Sequence, residues 1–134
     1  MGRKNGIRAA YRIKQNNLAG EYTAPELAFA DLFKGKVLKP PSVRVIDEEG
    51  NPWDFRPDFQ FIDTNLLVEI QGRYHRTKKQ EQKTRWRNSQ LLALGYRVIE
   101  IDAELLTTKK HHPHVVRCTL TFLNGNRLTE HLYA

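Results

Sequence analysis

Apolar residues along this chain fall into runs of two different periods, separated by turn-forming residues. In "TAPELAFADLF", Thr23 to Phe33, the residues Leu27, Phe29, Ala30 and Phe33 supply one packing side. Thr23 stands as an N-cap and Pro25 falls in the first turn, so the segment predicts a helix. Residues 37–62 hold short extended runs around Val43 to Ile46 and from Phe55 to Ile62, with an acidic turn, Asp47 to Pro52, between them. Leu66 to Gln71 is largely apolar, which predicts a central strand ended by Gly72. Thr77 and Gln80 open a second helix with a capping-box pattern, and Gly95 closes it after Leu91, Leu92 and Leu94. "YRVIEID", Tyr96 to Asp102, follows at once as a buried strand. Strand, helix and strand with short joints predict a right-handed crossover if the two strands are parallel. In the tail, "VVRCTLTF" is rich in β-formers, but Pro113 before it and Gly125 behind it favour a helix or mixed structure.

Composition adds bounds to this pattern. The 134 residues, 40% of them hydrophobic, suit one compact core. Residues 1–20 are polar and basic and read as a flexible arm, leaving 21–134 as a single domain. No apolar run approaches the ~18 residues of a membrane span, and the N-terminus lacks the apolar stretch of a signal peptide, so a cytoplasmic protein without a membrane partner is expected. The single cysteine, Cys118, excludes an internal disulfide, and no Cys/His pairs stand at zinc-ligand spacing. The formal net charge is +7 and the isoelectric point near 9.7. That charge is concentrated in two places, Arg3 to Lys14 and Arg73 to Arg87. Such clustering points to a polyanionic partner, most often nucleic acid.

Two acids then stand out. Asp58 follows a proline at the start of an extended run, and Glu69 lies inside the apolar Leu66–Gln71 strand. If the two runs pair through the turn at Asp63-Thr64-Asn65, both carboxylates reach the same end of a sheet. In a basic protein they suit Mg²⁺, a hard cation that prefers oxygen. Gln71 faces the same side as Glu69 by strand alternation and can orient a water or a phosphate oxygen, while the Ile70 backbone carbonyl can complete a metal shell. The plainer alternative pairs Asp58 with Arg56 or Arg73, and Glu69 with a lysine of the second helix.

With Pro57-Asp58 and Glu69-Ile70-Gln71 in view, the chain resembles the PD-(D/E)XK nuclease superfamily. "LLVEIQGRYHRTKKQEQKTRWRNSQLLALGYRVIEID" is similar to very-short-patch-repair-like endonucleases, in which a "VEVDG..H" strand leads to a basic helix and a "GWRVLR"-type strand. The resemblance spans roughly Glu26 to Asp102. It implies an α/β fold with a restriction-endonuclease-like αβββαβ core, a mixed central sheet flanked by helices, and Mg²⁺- or Mn²⁺-dependent cleavage of DNA. It assigns Asp58 and Glu69 as metal-binding acids, Glu26 as an additional acid, and His75 as a general acid, base or phosphate contact. Glu26 also completes a capping box with Thr23, and the two roles are compatible. Gln71 departs from the family's usual lysine. A lysine from the next helix, Lys79 or Lys83, is one substitute, and a degenerate domain that only binds DNA is the alternative.

Arg73, Arg76, Lys78, Lys79, Lys83 and Arg87, with Arg8 and Arg12 of the arm, are the expected DNA contacts. Trp86 reads as core packing rather than a base-stacking group, and His111 to His114, "HHPH", as a loop. Without room for a separate specificity domain, a structure-selective nuclease of branched or distorted DNA is expected, like a Holliday-junction resolvase or a nickase and acting as a homodimer. A short-site restriction-type enzyme is the other nuclease option.

Overall fold

The computed structural model describes residues 22–72 and 77–134. The expected basic arm lies outside them. Helix α1, Ala24–Leu32, begins at the Thr23 cap, where Thr23 and Glu26 complete a reciprocal capping box. Short strand β1, Val37–Leu38, follows, then strands β2, Val43–Ile46, and β3, Pro52–Phe55. Strands β4, Phe59–Phe61, and β5, Leu66–Gln71, lead to helix α2, Lys78–Ala93. Strand β6, Arg97–Asp102, helix α3, Glu104–Thr107, a 3₁₀ turn over Lys109–His111, helix α4, His112–Asn124, and strand β7, Thr129–Leu132, complete the order.

The main sheet runs β1-β4-β5-β6-β7. Strands β1 and β5 pair antiparallel with β4, whereas β5, β6 and β7 run parallel, so the sheet is mixed. The fold is therefore α/β, with helices on both faces. On one face α1, α3 and α4 cover Leu66, Val68, Ile99, Ile101 and Leu132, and Phe29, Phe33, Phe59 and Phe61 interlock with ring centroids 4.9–6.3 Å apart. On the other face a smaller cluster joins Leu67 and Val98 to Leu91 of α2 and to Val45 and Phe55. Leu91 enters that cluster because α2 is otherwise polar and has little else to bury.

Helix α2 stops as the sequence predicts. Gly95 holds φ at +94°, Tyr96 N–H donates to the Leu91 carbonyl and Gly95 N–H to that of Leu92, both at 3.0 Å. The strand returns straight into β6.

Three expectations need correction. The single run from Phe55 to Ile62 is split: β2 and β3 form a separate hairpin, and only residues from Phe59 enter the main sheet. Arg56 and Pro57 lie between the two strands, and proline's missing N–H cannot serve a ladder. His111 to His114 is helical instead of a loop, because Pro113 suits the first turn of α4. Trp86 is 45% exposed and lies outside the core. Its place in the core is taken by Leu91, on the side of α2 that meets the sheet. The tail helix is present as α4, and β7 beyond it is an edge strand that the mixed tail pattern did not reveal.

Candidate metal and phosphate site

Asp58 and Glu69 are brought together by the antiparallel pairing of β4 with β5, in which Phe59 lies opposite Val68. The pairing is locked by the acids themselves. Asp58 N–H donates to Glu69 Oε1 at 2.9 Å, and Ile70 N–H donates to Asp58 Oδ2 at 2.8 Å. Each carboxylate thus fixes the backbone beside the other. Glu26 joins them from α1, beside Asp58, while its Oε1 accepts from Thr23 N–H at 3.0 Å and Thr23 Oγ1–H at 2.7 Å. Both proposed roles of Glu26, cap and additional acid, are geometrically open.

The electrostatics of this group are unfavourable to its own charge. Burial is the main force that pushes Asp58 up to about 7, and the Glu26 carboxylate adds to it; the Ile70 hydrogen bond and Lys39 pull the other way. Burial pushes Glu69 well above the usual carboxylate range, with the neighbouring Asp58 adding to it, against a partial offset from Arg87. Glu69 is only 9% exposed. Buried carboxylates that repel one another are stable as charges only with a cation among them.

Arg87 is the α2 cation that acts on Glu69, and its guanidinium also stacks over the Phe55 ring at 4.2 Å. Lys79 and Lys83 lie elsewhere, along a cavity between α2 and the β2–β3 hairpin, and Lys78 is exposed at the helix start. The lysine that acts on Asp58 is Lys39, from the segment after β1. Sequence reasoning missed it, since nothing in "KGKVLKPPS" separates one lysine from the next. Arg8, Arg12, Arg73, His75 and Arg76 lie outside the described residues.

Gln71 is buried at the end of β5, and its Nε2 donates toward Glu100 Oε1 at 3.5 Å, the outer limit of a hydrogen bond. That contact opens on a second acidic group. The parallel register sets Glu69 beside Glu100 and Gln71 beside Asp102, and sets Glu100 beside His131 of β7. His131 Nδ1 lies 3.1 Å from Glu100 Oε2, and its Nε2 lies 2.7 Å from Asp102 Oδ1. Both ring nitrogens face carboxylates, an arrangement that favours the imidazolium, in which both nitrogens donate. Burial alone would lower the His131 pKa, yet its hydrogen bonds to Glu100 and Asp102 leave it raised. Burial alone would raise Glu100, yet hydrogen bonds from His131 and Asn88, with the Arg87 charge, leave it lowered. Asn88 Nδ2 donates to Glu100 at 3.1 Å, and Arg87 Nη2 lies 3.6 Å from it. The alternation of acids in "VIEID" is the only trace of this group in the sequence.

Donor chemistry at Asp58 and Glu69 fits a hard divalent cation. Among the described residues no group of three or more His, Cys, Asp or Glu side chains is arranged to hold a metal ion. The fit is to two carboxylates, with water and substrate oxygens filling the other positions, the mode in which Mg²⁺ commonly binds. No protein-family model matches the chain, and no curated protein or solved structure matches it either. No helix among the described residues is long and apolar enough to cross a membrane.

Proposed function

We propose that the chain is a divalent-metal-dependent DNA endonuclease built on a restriction-endonuclease-like core. The observation that carries this reading is the locked pair of half-buried Asp58 and buried Glu69, both held above their ordinary pKa range with no full counter-charge among the described residues. The order α1, the β4–β5 hairpin, α2 and parallel β6 supports it, since it reproduces the heart of an αβββαβ arrangement.

Asp58 and Glu69 would hold the metal, with the Ile70 carbonyl as a further oxygen. A bound Mg²⁺ or Mn²⁺ supplies a water of lowered pKa and offsets charge developing on the scissile phosphate. Asp58 must first give up the proton that burial favours, and Lys39 assists by stabilising the ionised carboxylate. Gln71 would offer its amide oxygen to orient a water, with its nitrogen turned toward Glu100 at 3.5 Å. Arg87 stabilises negative charge at Glu69. Glu26 and His75 are the supporting acid and phosphate contact. Lys78, Lys79 and Lys83, with Arg8, Arg12, Arg73 and Arg76, would track the DNA backbone through salt-dependent, sequence-independent attraction. Branched or distorted DNA is the substrate class proposed, with a homodimer placing one site on each strand.

The reading is tested by incubating wild type and Asp58→Ala with Mg²⁺ or Mn²⁺ and linear, mismatched and four-way-junction DNA. Metal-dependent cleavage by wild type is expected. The variant should lose about 10³-fold or more, because several kcal/mol of charge stabilisation at the phosphate depends on the metal. Binding without cleavage under both metals would sink the enzyme reading and leave the DNA-binding alternative. The tether of Gln71 to Glu100, in place of a free lysine, is the observation that favours that alternative.

A further inference from the structure

Helix α2 and the β2–β3 hairpin meet along a cavity of about 450 Å³, lined by Ile46, Trp53 and Trp86, by Lys79 and Lys83, and by the acidic turn at Glu48. The three apolar side chains are 48%, 41% and 45% exposed. They are among the largest apolar groups left in water, yet the hairpin and helix could bury them by closing together. Hydrogen bonds to the Ile46 backbone set how the hairpin meets the helix. Trp86 Nε1 donates to the Ile46 carbonyl at 2.7 Å, Gln90 Nε2 donates to the same carbonyl, and Gln90 Oε1 accepts from Ile46 N–H at 2.7 Å. Trp53 rests edge-on against Phe55, centroids 5.8 Å apart, and Phe55 carries Arg87 on its face. Trp86 is thus held by its Nε1 edge and Trp53 by its contact with Phe55, and both indoles line the cavity.

We propose that this cavity receives one unpaired nucleobase of a bound nucleic acid, stacked on Trp53 or Trp86. The charge pattern selects that occupant. Lys79 and Lys83 suit the flanking phosphates, while Glu48 and Glu49 repel a phosphate and accept hydrogen bonds from an exocyclic amino group, as carboxylates do from cytosine. Asp47 does not compete for this role, because its Oδ1 already accepts from Glu49 and Asn51 N–H groups. Base–aromatic stacking is tolerant of sequence and strong enough to decide between substrates. The proposal rests on the nucleic-acid reading above but is independent of metal and of cleavage.

The chain has two tryptophans, and both line this cavity, so tryptophan fluorescence, excited selectively over that of the tyrosines, reports on it. The test titrates the full chain, without metal, with a paired duplex, the same duplex carrying a single-adenine bulge, and one whose bulge is an abasic site. The adenine bulge should bind about tenfold tighter than the abasic one and quench the fluorescence, since stacking requires the base. Trp53→Ala or Trp86→Ala, whichever removes the stacking ring, should erase that tenfold preference while leaving affinity for paired duplex unchanged, and retention of the preference in both overturns the proposal. Trp86→Phe, which keeps a ring but loses the Ile46 bond, should retain part of it. Equal binding of all three duplexes, or binding without quenching, overturns the base pocket and leaves the nuclease reading intact. No binding to any duplex overturns both. A fluorescence change that depends on protein concentration alone, lost in Trp53→Ala, places a second copy of the chain in the cavity and also overturns the proposal.

Discussion

Two acidic groups sit side by side on strands β5 and β6, and they have opposite electrostatic characters. Glu69 is buried, with half-buried Asp58 and Glu26 beside it, and Lys39 and Arg87 offset the group only in part, so the Asp58 and Glu69 carboxyls stay above the usual range. Glu100, a register neighbour of Glu69, keeps a side chain only 12% exposed, but His131, Asn88 and Arg87 surround it and hold it below that range. Burial raises both; hydrogen-bonded positive partners decide the sign. The second group is a closed account of charge, while the first has room for one more cation. That contrast argues for placing the metal at Asp58 and Glu69 and not at Glu100, Asp102 and His131, although the latter offers more ligand types.

Breaking the neutralised group should give the largest change in stability. Glu100→Ala leaves the His131 imidazolium and Arg87 without their shared carboxylate, at 13% side-chain exposure for Arg87 and 24% for His131. A loss of about 2–3 kcal/mol is expected by denaturant unfolding near pH 6, the scale for removing one partner of a buried charge pair. The pH dependence follows from both partners. Glu100, lowered in the fold, contributes above its ordinary 4.5, and that contribution is lost as pH falls through the folded value. His131, raised in the fold, contributes fully below 6.5, and that contribution is lost as pH rises through its folded value. The penalty should therefore shrink toward both extremes. A penalty that stays constant from pH 3 to pH 9 would mean packing, not charge, holds this corner.

The strained group should answer in the other direction. Asp58 binds its proton up to about pH 7 in the fold but only to about 3.8 when unfolded, so stability falls as pH rises across that interval. Asp58→Asn removes the cost of the charge and should raise stability by about 1–2 kcal/mol at pH 8, with little effect at pH 4. Mg²⁺ at tens of millimolar should raise the melting temperature of wild type by a few degrees at pH 8, less at pH 5.5, and not at all in the variant. The reason is that metal binding must displace the proton, which becomes harder below pH 7. A variant less stable than wild type at pH 8 would show that the hydrogen bond from Ile70 N–H to the Asp58 carboxylate outweighs the strain.

How far the sequence discloses this contrast depends on where each partner lies along the chain. The apolar run Leu66–Val68, the Thr23 and Thr77 caps and Gly95 are local signals, and they place α1, β5, α2 and β6 correctly. Asp58 and Glu69 are also legible, since a hairpin joins them. Lys39 and His131 are not. Each reaches its acid across the sheet, through β1 pairing with β4 and β7 pairing with β6, and long-range strand pairing leaves no periodic mark on the sequence. The Trp86 expectation failed for a related reason. Helical spacing marks an apolar side, but the tertiary partner of α2 beyond Leu91 is the hairpin carbonyl of Ile46, a polar one.

The smallest expected effect isolates burial as the variable. Arg44 and Asp54 form the same kind of charge pair as Arg87 and Glu100, with Arg44 Nε 2.8 Å from Asp54 Oδ1, a better geometry than the 3.6 Å of the buried pair. Their side chains are 66% and 56% exposed, so water already solvates both charges and salt screens their attraction. Arg44→Ala should change stability by about 0.5 kcal/mol or less, and raising the salt concentration should abolish even that. If the loss instead matched that of Glu100→Ala, pairing alone would account for the behaviour of both. The contrast between the two acidic groups would then have to come from their partners, with burial contributing nothing.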